Sequence, residues 1–144
     1  MKLIIRRASV RWTAGAKGGA RAVTAEGGAL PLAPSASSIR HQHNSETDSA
    51  DLIAAAHASS FSWALAQELG RAVLSVGDVL TSAAVTLQRL AAGWTIMNIH
   101  LNVVARLPQV EHGRFIDAAV RAKTNCLVSR VLRATISMNA KLEK

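Results

Sequence analysis

The sequence predicts an α+β fold, with residues 1–144 forming a single domain. Three features carry that expectation. Residues 48–69 are rich in alanine and apolar on every side. Residues 79–107 hold two segments in which apolar residues alternate. The N-terminal dozen residues are rich in β-branched types and run into a glycine-rich turn. With 49% hydrophobic and 18% charged residues, the chain is neither disordered nor fibrous. A chain of 144 residues buries roughly two-thirds of the surface that its unfolded form exposes, enough for a core.

Residues 2–12, KLIIRRASVRW, read as a first strand. The glycines of Thr13–Gly19 make a turn, and Ala20–Glu26 returns as the second strand of a hairpin. Gly15–Gly19 lacks the lysine and hydroxyl residue that end a phosphate loop. Gly27, Gly28, Pro31 and Pro34 then interrupt regular structure. Ser35–Thr47 is polar, with a short edge strand expected around Ile39–His43.

Asp48–Leu69 is expected to be a helix. Asp48 or Ser49 can cap it, and Asp51 falls in the first turn, where the helix dipole favours negative charge. Six alanines between Ala54 and Ala66 favour helix, and Gly70 offers a left-handed ending. The apolar residues form no single stripe, so the helix should be covered on most sides. One small α+β chain has little material for that, and a partner subunit can supply the rest.

Val79–Leu90 and Trp94–Leu107 are expected as long strands joined at Ala91–Gly93. In the second, Met97, Ile99, Leu101, Val103, Ala105 and Leu107 take the core face, and Asn98, His100, Asn102 and Arg106 the wet one. Pro108 stops it. His112–Lys123 reads as a second helix with Phe115, Ile116, Ala119 and Val120 on one side. Asn125 can cap a short third helix, Cys126–Leu132. Arg133–Glu143 is the last strand, with Ala134, Ile136, Met138, Ala140 and Leu142 inward.

The net charge of +8 raises the question of an anionic partner. The basic residues, among them Arg6, Arg7, Arg11, Lys17 and Arg21, form no dense block, and no nucleic-acid motif is present. A solvated surface is expected, not a nucleic-acid site. One cysteine excludes an intrachain disulfide and a zinc ribbon. The apolar run Leu3–Ile5 is too short for a signal peptide. The charge-free stretch Leu52–Gln67 falls short of the ~20 apolar residues that span a bilayer. A cytoplasmic protein without membrane contact is expected.

Three features stand out as chemistry: His57–Ser62 (HASSFS) in the long helix, Lys123–Leu132 (KTNCLVSRVL) at a helix start, and Arg40 upstream. His57 and Ser60 are three apart on the helix and can hydrogen bond. A serine hydrolase also needs a group to orient the base and an oxyanion hole, and neither is visible. Ser60 reads alternatively as a small residue that lets helices approach. Cys126 reads either as a plain buried thiol or as one activated by a helix N-terminus and Lys123. Arg40 reads either as a surface arginine or as a cation that stabilises an anion. His41 and His43 alternate with no carboxylate or cysteine at ligand spacing, so no metal and no cofactor is expected.

With these motifs the sequence resembles the OsmC/Ohr family of thiol-dependent peroxidases, the OsmC branch in particular. The resemblance runs from the first strand to the last. The family's helix carries a pattern close to HAACFS, here His57-Ala58-Ser59-Ser60-Phe61-Ser62. Its second cysteine sits in KAxCPVSxVL, here Lys123 to Leu132. The resemblance implies an intertwined homodimer, with β-sheets wrapped around a central buried helix pair and active sites at the interface. It implies reduction of organic hydroperoxides in oxidative-stress defence, with a lipoyl-type dithiol as reductant. A peroxidatic cysteine, held by an arginine that a glutamate orients, attacks the O–O bond; a second cysteine resolves the sulfenic acid.

The sequence departs from this pattern at decisive places. Ser60 stands at the peroxidatic position, Ala50 at the glutamate position with Asp51 beside it, and Leu127 replaces the proline after Cys126. Arg40 and Cys126 match. A serine hydroxyl does not ionise at neutral pH and cannot enter the thiolate-to-sulfenic sequence. Two expectations follow: a peroxidase scaffold impaired at Ser60, or a lapsed relative that binds a hydrophobic ligand in the interface pocket.

Overall fold

A computed structural model of the chain describes residues 3–13, 20–25, 28–29, 49–70 and 77–143. The expected edge strand at Ile39–His43 lies outside the described residues, and with it Arg40, His41 and His43. In chain order the elements are β1 (Leu3–Thr13), β2 (Ala20–Ala25), β3 (Gly28–Ala29), α1 (Ser49–Leu69), β4 (Asp78–Leu90), β5 (Gly93–Arg106), α2 (His112–Asn125), α3 (Leu127–Val131) and β6 (Thr135–Glu143). The α+β expectation holds.

The period-two segments join in one sheet in the order β3-β2-β1-β4-β5-β6. Every neighbouring pair is antiparallel except β5 and β6. A parallel pair needs a crossover, which α2 and α3 supply. β1 and β4 form the centre, paired without interruption from Leu3↔Gln88 to Thr13↔Asp78. Their alternation sends Ile4, Ala8 and Val10 to the same core as Val79, Ala83, Val85 and Leu87. β5 adds Ile99, Leu101, Val103 and Ala105.

α1 packs on this face, with Phe61, Leu65 and Leu69 fully buried. The Ser62 hydroxyl lies 2.9 Å from the Ala58 carbonyl oxygen and 3.0 Å from Oγ1 of buried Thr81, tying α1 to β4. α2 closes the other flank with Phe115, Ala118, Ala119 and Ala122. Arg121 Nε donates to Glu68 at 2.8 Å, and Arg114 donates to the Leu69 carbonyl at the end of α1 at 3.1 Å. α1 stops where its sequence expects: Gly70 adopts φ +84° and its N–H returns to Ala66 O. Gly77 has φ +132°, and a Cβ there would lie 2.0 Å from the Arg106 carbonyl oxygen, so only glycine fits between β4 and the end of β5.

Several details differ from the expectations. Met97, expected on the core face, is exposed, because the β4–β5 register shifts between Thr86 and Leu87. Thr86 pairs with Asn98 and Leu87 with Ile96, so Met97 is the extra residue of a bulge. Before it, Trp94 and Ile96 face the core. Gly28, expected to interrupt regular structure, pairs with Ala25 in the two-residue strand β3. Arg6, read as one more surface cation, is 8% exposed, on the side of the strand that carries Ile4, Ala8 and Val10. α2 runs on to Asn125, so Asn125 does not cap the third helix. Val120, expected on the apolar side of α2, is exposed, and Ala134 precedes the last strand.

Candidate functional site

Helical spacing divides α1 into two functional faces. Ala54, Ala58, Phe61 and Leu65 point into the core, and His57 goes with them at 0% exposure. Ala56, Ser59, Ser60, Trp63, Ala64 and Gln67 face the other way. Opposite them the chain leaves α2 at Cys126, which has extended backbone and caps α3. The space between is an open groove of about 750 Å³. Ser60 from α1 and Cys126 with Leu127 and Val128 from the α2–α3 turn line it, and Glu68 lies at its edge. Two residues 66 positions apart in the sequence thus share one cavity (126 − 60).

Behind this groove lies a chain of hydrogen bonds. His57 Nε2 is 2.8 Å from Ser129 Oγ. Ser129 Oγ is 2.9 Å from Cys126 Sγ. The Ser129 backbone N–H donates to the same sulfur at 3.4 Å, as an N-terminal cap of α3 requires. His57 Nδ1 is buried and has no hydrogen-bond partner among the described residues. Burial pushes the His57 pKa from 6.5 to about 4, because an imidazolium would lose its hydration there. His57 is therefore neutral at pH 7.

The His57–Ser60 hydrogen bond that helical spacing allows is not made. His57 Nε2 reaches across to Ser129, while Ser60 sits half-buried on the groove side. Lys123, expected beside the thiol, instead donates to the Ile136 carbonyl of β6 at 3.4 Å. Ala50 and Asp51 are both 2% exposed in the first turn of α1. Arg40 lies outside the described residues. Sequence reasoning missed Ser129 as a partner of both His57 and Cys126. The available signal was its place one helical turn after Cys126, inside the second motif. Among the described residues no three His, Cys, Asp or Glu side chains gather to hold a metal ion. No described helix is long and apolar enough to cross a membrane.

A buried thiol joined through Ser129 to a buried imidazole, at a groove beside a sheet-backed helix, marks the candidate site of a mixed α+β fold. Residues 42–141 match the family described as OsmC-like protein, and the chain belongs to that family. It is 32% identical over 140 residues to a peroxiredoxin OsmC of Escherichia coli strain K12, covering 97% of this chain and 98% of that protein. Solved structures share the fold at lower identity. One is an organic hydroperoxide resistance protein from Elizabethkingia anophelis with crystallant-derived thiocyanate bound. It has 17% identity and a TM-score of 0.58, over 95% of this chain and 94% of that one. Another, from Legionella pneumophila, is described as an organic hydroperoxide resistance protein OsmC. It has 18% identity and a TM-score of 0.55, over 94% and 96%.

Proposed function

We propose that this chain is a peroxidase-type scaffold for organic hydroperoxides, serving oxidative-stress defence in the cytoplasm, whose two-cysteine cycle is impaired by Ser60. Membership of the OsmC-like family and the peroxiredoxin among its relatives support the substrate class. The observation that carries the site is the shared groove of Ser60 and Cys126. With serine at 60 there is no sulfenic acid for Cys126 to resolve, because oxygen cannot replace sulfur as the peroxide-attacking atom. In this reading Arg40 steadies developing negative charge, Asp51 stands in for the missing carboxylate beside Ala50, and a lipoyl-type dithiol is the reductant.

The working unit in this proposal is a homodimer. Leu52 and Trp63 on α1 are 43% exposed, and Leu127 and Val131 are 72% and 68% exposed. That much apolar surface around the groove suits a second copy of the chain as cover. The apolar walls, Ala56, Trp63, Ala64, Leu127 and Val128, also favour a second reading, a lapsed enzyme that binds a hydrophobic ligand.

The test is consumption of cumene hydroperoxide with a dithiol reductant. It compares the chain as it stands, Ser60→Cys, and Ser60→Cys with Arg40→Ala. The proposal expects slow turnover in the first, a clear gain in the second and loss of that gain in the third. Fast turnover with Ser60 in place overturns the role assigned to that position. No gain in Ser60→Cys favours the ligand-binding reading.

A further inference from the structure

Large apolar side chains are exposed on two separate sides of the fold. One set belongs to the helices and surrounds the groove. The other, Leu3, Ile5, Leu90 and Met97, belongs to the strands. The register gathers this second set at one corner of the sheet. In β1, Ile4 and Arg6 turn inward, so Leu3 and Ile5 turn outward. Leu3 pairs with Gln88 and Ile5 with Thr86. Leu90 follows Gln88 by two residues and shares its outer side. Ile96 and Ile99 both face the core, so the bulge leaves Met97 and Asn98 together on the outer side, next to Thr86. Three strands spaced ~4.8 Å apart put the four side chains within about 10 Å across the sheet. α1 packs on the other face, with Ile4, Ala8 and Val10, so this corner is turned away from the core and the groove.

The charge around the corner has one sign. Arg7 is the next outward residue of β1, Arg89 precedes Leu90, and Arg133 stands two residues before Thr135, the partner of Asn98. All three are exposed. Arg89 and Arg133 have no ion-pair partner among the described residues. The acids of the outer face among the described residues, Asp78 and Glu143, stand at the far end of the strands. There Arg11 and Arg106 pair with them at 3.8 and 3.3 Å. Leu3 and Thr13, the partner of Asp78, are ten residues apart (13 − 3), about 33 Å of strand. A nucleic acid strand takes aromatic side chains to stack on, and this corner offers aliphatic ones and a thioether. A second copy would bring cation against cation. Apolar side chains rimmed by arginines suit the headgroup layer of an anionic bilayer, which takes both at once.

We propose that this corner is a docking surface for an anionic phospholipid membrane, with Leu3, Ile5, Leu90 and Met97 entering the headgroup layer and Arg89 and Arg133 meeting lipid phosphates. The sequence expectation of no membrane contact rests on the length of apolar runs, which decides spanning. A patch assembled from three strands shows in no run. The proposal stands apart from the chemistry of the groove, which opens on the helical side.

The test is cosedimentation of the full chain with vesicles of phosphatidylcholine, and with vesicles of phosphatidylcholine and phosphatidylglycerol in equal parts. Leu3→Gln with Ile5→Gln removes apolar side chains, and Leu90→Gln with Met97→Gln serves where that pair fails to fold. Arg89→Glu with Arg133→Glu reverses the charge of the corner. Arg106→Glu with Lys141→Glu makes the same change in net charge at the far end of the same face. The expected result is binding to the anionic vesicles alone. The apolar pair and the corner arginine pair should each weaken it about tenfold or more, and the far pair less than about threefold. Absence of binding overturns the proposal, as does equal binding to both kinds of vesicle. Equal loss in the two charge-reversed chains assigns the binding to net charge and overturns it too. Binding of a single-stranded oligonucleotide that needs Arg89 and Arg133 but not Leu3 and Ile5, with no binding to vesicles, would give the corner to nucleic acid instead. Hydroperoxide turnover has no part in the readout, so this inference and the reading of the groove stand or fall separately.

Discussion

Acid should destabilise this protein in part through one buried histidine. In the unfolded chain His57 takes up its proton near pH 6.5, and in the fold only near pH 4. Between those values the unfolded state holds more protons than the folded one, so each step down in pH favours unfolding. The stability is fully present above pH 6.5 and is lost as pH falls through 4. A gap of 2.5 units (6.5 − 4), at about 1.36 kcal/mol per unit, sets the loss at roughly 3 kcal/mol. That is a large share of the ~5–15 kcal/mol typical of a domain. The assay is urea unfolding at pH 7, 6, 5 and 4.5 for the chain as it stands and for His57→Gln. Glutamine can still hydrogen bond to Ser129 but does not titrate. The difference between the two slopes isolates His57 from the carboxylates, which titrate in both. Parallel slopes between pH 6.5 and 5 would refute the reasoning, as would a histidine signal of the folded protein titrating near 6.5 that is absent from His57→Gln.

Three further outcomes are expected. Ser60→Cys should raise cumene hydroperoxide turnover with a dithiol reductant about tenfold or more, and Arg40→Ala should remove most of that gain, measured as kcat/KM. Gly77→Ala should destabilise the fold by on the order of 2 kcal/mol in urea unfolding, because the new methyl meets the Arg106 carbonyl and the backbone holds φ +132°. Sedimentation equilibrium at micromolar concentration should find a dimer, and Leu52→Glu with Trp63→Glu should shift it to monomer while far-ultraviolet circular dichroism is kept.

Period and composition carried the large elements because those signals are local. α1 has the first-turn Asp51, the alanines and the terminal glycine of an isolated helix, and β5 alternates cleanly from Ile99 onward. What local signals missed has a physical cause in each case. The bulge at Met97 is set by the partner strand, since it exists only as a mismatch between Thr86–Leu87 and Asn98–Ile96. Arg6 kept the strand's period, but its charge argued outward. In the site, residues of both motifs line one groove, yet the bond between His57 and Ser129 joins residues 72 apart, and no spacing rule pairs them. Helical spacing allowed His57 a bond to Ser60, its neighbour on the same helix. The tertiary contact with α3 won because a buried imidazole needs a partner, while half-buried Ser60 sits at the groove.

The two faces of α1 separate what can change from what cannot. Ser60 sits half-buried on the groove side and takes no part in the His57–Ser129–Cys126 chain. Exchanging sulfur for oxygen there alters the chemistry of the groove and leaves the packing of Phe61, Leu65 and His57 alone. The other half of the site has no such freedom. Removing Ser129 leaves His57 Nε2 buried without its partner, a loss of about 1–3 kcal/mol, and also takes the hydroxyl from Cys126. Cys126 in turn caps α3 through the Ser129 N–H. The bonds that fix the α2–α3 turn are thus the bonds that hold the buried Cys126 sulfur against Ser129. Serine at position 60 leaves that turn as it is, because Ser60 shares none of its hydrogen bonds.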